Sequence, residues 1–169
     1  IKSLLRLFPD ADSVIERMEK EEFWARTGKT PIEEGERYAV GDTLREALRK
    51  IVPDKEAPAL LDTNRSNYEI ENDAAAIFDS WPAKIVAADK VEVLLHNPDR
   101  GSLEKRVNHL IKHGPYYKVL DPEKAAWIKS VPTTLRTAVV KVHDPETHNW
   151  LYAKMYNTRE THLVVVGPD

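Results

Sequence analysis

His109 and His113, four residues apart in the run HLIKH, are the first residues whose types and spacing can do chemistry. On a helix, an i, i+4 spacing puts both imidazoles on one face. That suits a two-histidine metal site or a pair of rings flanking a phosphate. The zinc-protease motif needs Glu directly after the first His; Leu110 stands there instead, which argues against that chemistry. The plainer reading makes His109 a hydrogen-bonded surface residue and His113 a favourable cation near a helix C-terminus. Just beyond, KHGPYYK gathers Lys112, His113, Tyr116, Tyr117 and Lys118. Such a basic-aromatic cluster can hold a phosphate and stack a base, or can simply be a capping loop with its tyrosines packed on a sheet.

A second constellation lies in WLYAKMY, residues 150–156. Strand alternation puts Trp150, Tyr152, Lys154 and Tyr156 on one face and Leu151, Ala153 and Met155 on the other. The aromatic face with its central lysine is either a ligand surface or the core side, with Lys154 snorkelling. Arg136, Arg159, Thr161 and His162 stand near strand ends, where function often sits on a rigid sheet. Arg offers bidentate phosphate contact and His titrates near neutral pH. No GxxxxGK[ST], GxGxxG or GxSxG is present, so neither a nucleotide-phosphate loop nor a nucleophile elbow is expected. Glu69-Ile70-Glu71 has the ExE of ADP-ribosyltransferases without the Ser-Thr-Ser strand that accompanies it.

The elements that must position these groups fall into two parts. The 169 residues are 41% hydrophobic and 31% charged, with no cysteine and a net charge of −3. This composition excludes general disorder, a disulfide scaffold, a cysteine zinc site and a thiol nucleophile. No apolar run is long enough to span a bilayer and no signal h-region opens the chain. Residues 1–90 hold 14 Lys+Arg against 19 Asp+Glu, residues 91–169 hold 11 against 9, and all six histidines lie in the second part. The chain starts at Ile1 and stops at Gly167-Pro168-Asp169, so a piece of a longer protein is expected.

The first part, an acidic helical region over 1–90, is expected to form helices from Asp10 or Asp12 to about Ala25, over Thr43–Ile51 with Asp42 as its cap, and over Asp73–Trp81. A fourth, over Ala83–His96, competes with a short strand at Val91–Leu95. The second part, an α+β domain over 91–169, is expected to carry helices at Leu103–His113 and Glu123–Ser130. After Pro132 the period changes to that of strands, at Thr137–His143, Trp150–Tyr156 and Thr161–Val166, with a turn over Asp144–Asn149. The fold class is therefore α+β: N-terminal helices, then two helices on a small twisted antiparallel sheet of three to four strands.

Residues 100–166 resemble the phage-associated nuclease domains of the barnase–EndoU–colicin–RelE-like superfamily. The resemblance rests on Arg106, His109, His113-Gly114, Trp127, Pro132, Thr134-Leu135-Arg136, Tyr152, Lys154, Tyr156 and Leu163–Val166, in that order. The chain departs from the pattern at Thr137-Ala138-Val139, where the family carries Asn-Pro-Asp. The resemblance implies metal-independent RNA cleavage by general acid–base catalysis on an open sheet face. It makes His109 or His113 acid or base, His162 the second proton carrier, and Lys154 and Arg136 phosphate stabilisers. Tyr116, Tyr117, Tyr152, Tyr156 and Arg159 would bind substrate.

RNA is then a candidate partner, with a phage structural protein or an immunity protein as others. No metal, cofactor or membrane is expected, and the location is cytoplasmic or virion-associated. Two other readings compete. One is a non-catalytic structural or interaction domain of a phage or mobile-element protein, which predicts Lys154 facing the helices. The other is a metal enzyme using His109, His113 and either Asp144 or His143.

Overall fold

A computed structural model of the chain describes residues 2–8, 24–27, 39–40, 51–143 and 148–167. Three strands come first, β1 (Lys2–Phe8), β2 (Trp24–Thr27) and β3 (Ala39–Val40). Helix α1 (Asn67–Ser80) precedes the hairpin of β4 (Lys84–Val86) and β5 (Glu92–Leu94). Helix α2 (Leu103–Ile111) leads into the small hairpin of β6 (Lys112–His113) and β7 (Val119–Leu120). Helices α3 (Pro122–Trp127) and α4 (Val131–Thr137) flank a 3₁₀ turn, Ile128–Ser130. Strands β8 (Val140–His143), β9 (Trp150–Met155) and β10 (Thr161–Val166) close the described chain.

The α+β class holds, with a larger sheet than expected. Eight strands lie in the order β3-β2-β8-β9-β10-β1-β5-β4, so strands from both sides of residue 90 share it. It is mixed, because β1 pairs antiparallel with β10 and parallel with β5. The expected meander survives at its centre, where β9 pairs with β8 and β10, placing His162 opposite Lys154 and Lys141 opposite Tyr152. No helix among the described residues is long and apolar enough to cross a membrane.

Helix α1 starts where Ser66 caps it, its Oγ accepting from the Glu69 amide while its hydroxyl donates to the Glu69 carboxylate, and it ends before Pro82. Ile70, Ala74 and Phe78, spaced by four, bury its inner stripe. The helix expected over Ala83–His96 is instead the β4–β5 hairpin. Ile85, Val86, Val91 and Val93 favour strand, and Lys90 takes the left-handed φ of 67° that a tight turn requires. Trp24 and Ala25, expected at a helix end, lie in β2. The rest of that helix, the Asp42-capped helix apart from Ile51, and positions 144–147 of the expected turn lie outside the described residues.

Two helix ends also differ. Helix α2 stops at Ile111, since Lys112 and His113 leave the axis to pair with β7. Pro132 does not end the helical region: as an early residue of α4 it lacks only an amide that would have no partner there. The strand therefore begins at Val140 instead of Thr137.

The core lies between the helices and one face of the sheet, where Phe78, Trp127, Leu135, Tyr152, Tyr156 and Val164 pack together. Asp89, in the β4–β5 turn and wholly buried, reaches across this layer. Its carboxylate accepts from the Lys141 ammonium, and the Tyr152 hydroxyl lies 3.0 Å from both its oxygens. Lys141 also sits 4.4 Å from the centre of the Trp150 ring. Removing one member of a buried ion pair leaves the other charge without compensation. Asp89→Ala is expected to destabilise the fold by about 3–5 kcal/mol in urea denaturation. The double variant Asp89→Leu with Lys141→Met should recover most of that loss.

Candidate nucleic-acid interface

The side chains expected to make an open catalytic face instead point into the helical layer. Lys154 is 1% exposed; its ammonium donates to Glu56 at 2.9 Å and to the Thr137 hydroxyl at 2.7 Å, and pairs with Asp54 at 2.8 Å. Burial pulls the ammonium down, but the hydrogen bonds to Asp54 and Glu56 outweigh it and hold the group above the usual lysine range. The same hydrogen bond holds the Asp54 carboxyl below its ordinary value. Both carboxylates come from the segment 51–62, which is tied down by its backbone. The Asp54 amide donates to the Met155 carbonyl, and Glu56 accepts from the Asn157 amide, both at 2.9 Å. The Ser130 hydroxyl holds the Ala59 carbonyl at 2.7 Å.

His162 is fully buried and stacks on Trp127, with ring centres 4.9 Å apart. Its Nδ1 lies 2.7 Å from the Thr134 hydroxyl, which is 2.8 Å from the Tyr156 hydroxyl, and Tyr156 also reaches the Ser130 carbonyl at 3.4 Å. Nε2 has no hydrogen-bond partner. An orphaned N–H costs more than a bare lone pair in such a site, so the chain of donors runs from His162 Nδ1 to Thr134, from Thr134 to Tyr156, and on to Ser130. Burial pushes the imidazole down to about 3 and raises the Tyr156 phenol. Lys154, His162, Tyr152 and Tyr156 are thus internal, while Arg136 and Arg159 are exposed at the surface.

A second set of groups meets around α2. The Asn97 side chain caps the 3₁₀ turn Pro98–Arg100 and donates to Ser3, fixing the loop that carries Arg100. Gly101 follows at φ 109°, and an added Cβ there would fall 2.7 Å from the Lys105 side chain that lies across it. Ser102 then caps α2. Arg106 is held by the Gly101 carbonyl at 3.1 Å, lies 5.4 Å from the centre of the Phe78 ring, and approaches His96 Nδ1 at 3.5 Å. His96 Nε2 donates to the Trp81 carbonyl at 3.1 Å, leaving Nδ1 as the acceptor.

Arg100, Lys105, Arg106 and His109 line one pocket of 370 Å³, floored by Leu4, Leu5 and Leu110 with Asp99 at its edge. His109 and Lys105 also line a wider groove of 630 Å³ together with Tyr116 and Tyr117. The His109 ring stacks on Tyr117 with centres 4.0 Å apart. His113, which leaves the helix before it can share a face with His109, lies 3.3 Å from the Asp121 carboxylate. Among the described residues, no three His, Asp or Glu side chains gather as a metal set; Asp144 and the His143 side chain lie outside them.

The structure therefore brings His109, Tyr116 and Tyr117 together and adds Arg100 and Lys105, which the sequence reading did not single out. Their signal was an arginine in a glycine turn, Asp99-Arg100-Gly101, directly before a capped helix with Lys105, Arg106 and His109 on adjoining positions. Comparison with protein-family models, curated proteins and solved structures gives no match for this chain.

The buried histidine gives a pH dependence. The unfolded chain takes up a proton near 6.5 that the folded chain refuses down to about 3. The stability that this confers is present above 6.5 and lost as the pH falls through that window, at up to about 1.4 kcal/mol per pH unit. Urea midpoints measured from pH 7 to pH 5 are expected to fall more steeply for the native chain than for His162→Gln; equal slopes contradict a neutral buried ring.

Proposed function

We propose that this domain is an interaction module that binds RNA through the α2 face without cleaving it. What supports the reading is the gathering of Arg100, Lys105, Arg106 and His109 around one pocket, continuous through His109 with an aromatic groove. Phosphate contacts need cations, and here the cations converge at the surface while the rest of the chain is acidic. Arg106, anchored from Gly101 and over Phe78, has little side-chain freedom left to lose on binding. Acid–base cleavage asks for a second proton carrier within reach of the same phosphate. Among the described residues, His109 is the one imidazole lining the pocket, where Asp99 is the carboxylate beside it, and Lys154, Arg136 and His162, the groups expected to share the chemistry, do not line it.

Fluorescence anisotropy with an unstructured single-stranded RNA tests this. Three phosphate contacts give roughly 20-fold weaker binding at 200 mM than at 50 mM salt. Arg100→Glu with Lys105→Glu should lower affinity by more than tenfold, while Arg136→Glu with Arg159→Glu leaves it nearly unchanged. Salt-independent binding, no binding, or equal loss in both double variants contradicts the proposal. So does RNA cleavage that disappears in His109→Ala, which would establish a nuclease instead.

A further inference from the structure

Tyr116 and Tyr117 both adopt left-handed backbone, with φ of 59° and 50°. This conformation costs a residue with a Cβ roughly 1–3 kcal/mol, and two in succession persist only where something over-determines them. The β6–β7 hairpin forces the turn, with the Tyr117 amide donating to the Gly114 carbonyl at 3.0 Å and Gly114 itself at φ 81°. Glycine or asparagine would make the same turn with less strain. The two rings are used differently. Tyr117 rests on His109, whereas Tyr116 is 87% exposed, the most exposed large apolar side chain described. The Lys118 ammonium lies 5.6 Å from the Tyr116 ring centre, and the ring borders the groove that Lys105, Asn108, His109 and the Glu104 carboxylate also line.

We infer that Tyr116 is a stacking platform for an unpaired base, so that the RNA taken by the α2 face is single-stranded. The inference rests on the RNA-binding reading above and adds the part of the ligand that charge alone does not choose. A duplex hides its base faces within its own stack, and a polyphosphate has none; of these polyanions, the one with unpaired bases can cover an exposed phenol ring while its backbone reaches the cations of the neighbouring pocket. Stacking on an aromatic side chain tolerates any base, and Lys118 beside the same ring is placed to meet the adjoining phosphate.

The experiment compares three probes on the full chain: a single-stranded pyrimidine RNA ten nucleotides long, an RNA duplex of equal length, and inorganic polyphosphate. The single strand is expected to bind tightest. Tyr116→Ala should weaken it by roughly tenfold and leave polyphosphate binding unchanged, and Tyr116→Phe should keep native affinity. Tyr116→Gly should raise the Tm, since it relieves the left-handed strain, while losing the same binding. If Tyr116→Ala and Tyr116→Gly bind the single strand like the native chain, or duplex binds as well as single strand, the stacking role is overturned and the phosphate-binding reading stands. If none of the three probes binds, both are overturned.

Discussion

An ammonium group sealed inside a protein costs several kcal/mol unless acceptors surround it, and Lys154 imposes that condition on everything near it. It lies on the helix-facing side of β9, and three oxygens meet it, from Asp54, Glu56 and Thr137. Two of those come from a segment with no helix or strand of its own, whose place is fixed by backbone contacts to Met155, Asn157 and Ala126 and by Ser130. The same constraint recurs along the sheet. Lys141 needs Asp89 from the β4–β5 turn, and His162 needs Thr134 from α4. Buried polar groups on the helix-facing side of the sheet thus tie distant parts of the chain to the central strands, each by a specific geometry and not by apolar area alone.

This arrangement separates two kinds of cation. Those beneath the helices are neutralised inside the molecule and offer nothing to a ligand. Those on the rim of α2 are held at the surface by backbone and ring contacts, as Arg106 is by Gly101 and Phe78. His109 joins the pocket to the aromatic groove, because its ring is part of both walls.

Much of the local structure was legible in the sequence. Thr161–Val166 is a strand over the residues its pattern indicates, α2 begins at Leu103 and α3 one residue before Glu123, and WLYAKM is a strand, although both of its faces are buried and its burial does not alternate. What alternation cannot say is which face meets the helices, and a face carrying Trp, Tyr and Lys reads equally as ligand surface and as core. The answer depends on Asp54, Glu56 and Asp89, whose carboxylates lie roughly 50 to 100 positions from the lysines they meet. The eight-stranded sheet was missed for a related reason: β1 gains its partners from β10 and β5, both far along the chain, and the β4–β5 hairpin joins the sheet only through β1. The site was half visible, since the HLIKH and GPYY runs lie in it, but the expected pairing of His109 with His113 failed when the chain left the helix at Lys112 to form β6.

The central claim is that anionic ligand meets the α2 rim and not the aromatic face of β9. It is tested most directly by titrating isotopically labelled protein with single-stranded RNA and following backbone and side-chain resonances. The account predicts saturable shifts confined to Asn97–Lys118 and the pocket-lining Leu4, Leu5, Phe78 and Leu95, with Lys154, His162 and the Asp54–Glu56 segment unmoved. Shifts centred on Lys154 and His162, with Asp54 and Glu56 released from the lysine, would contradict it.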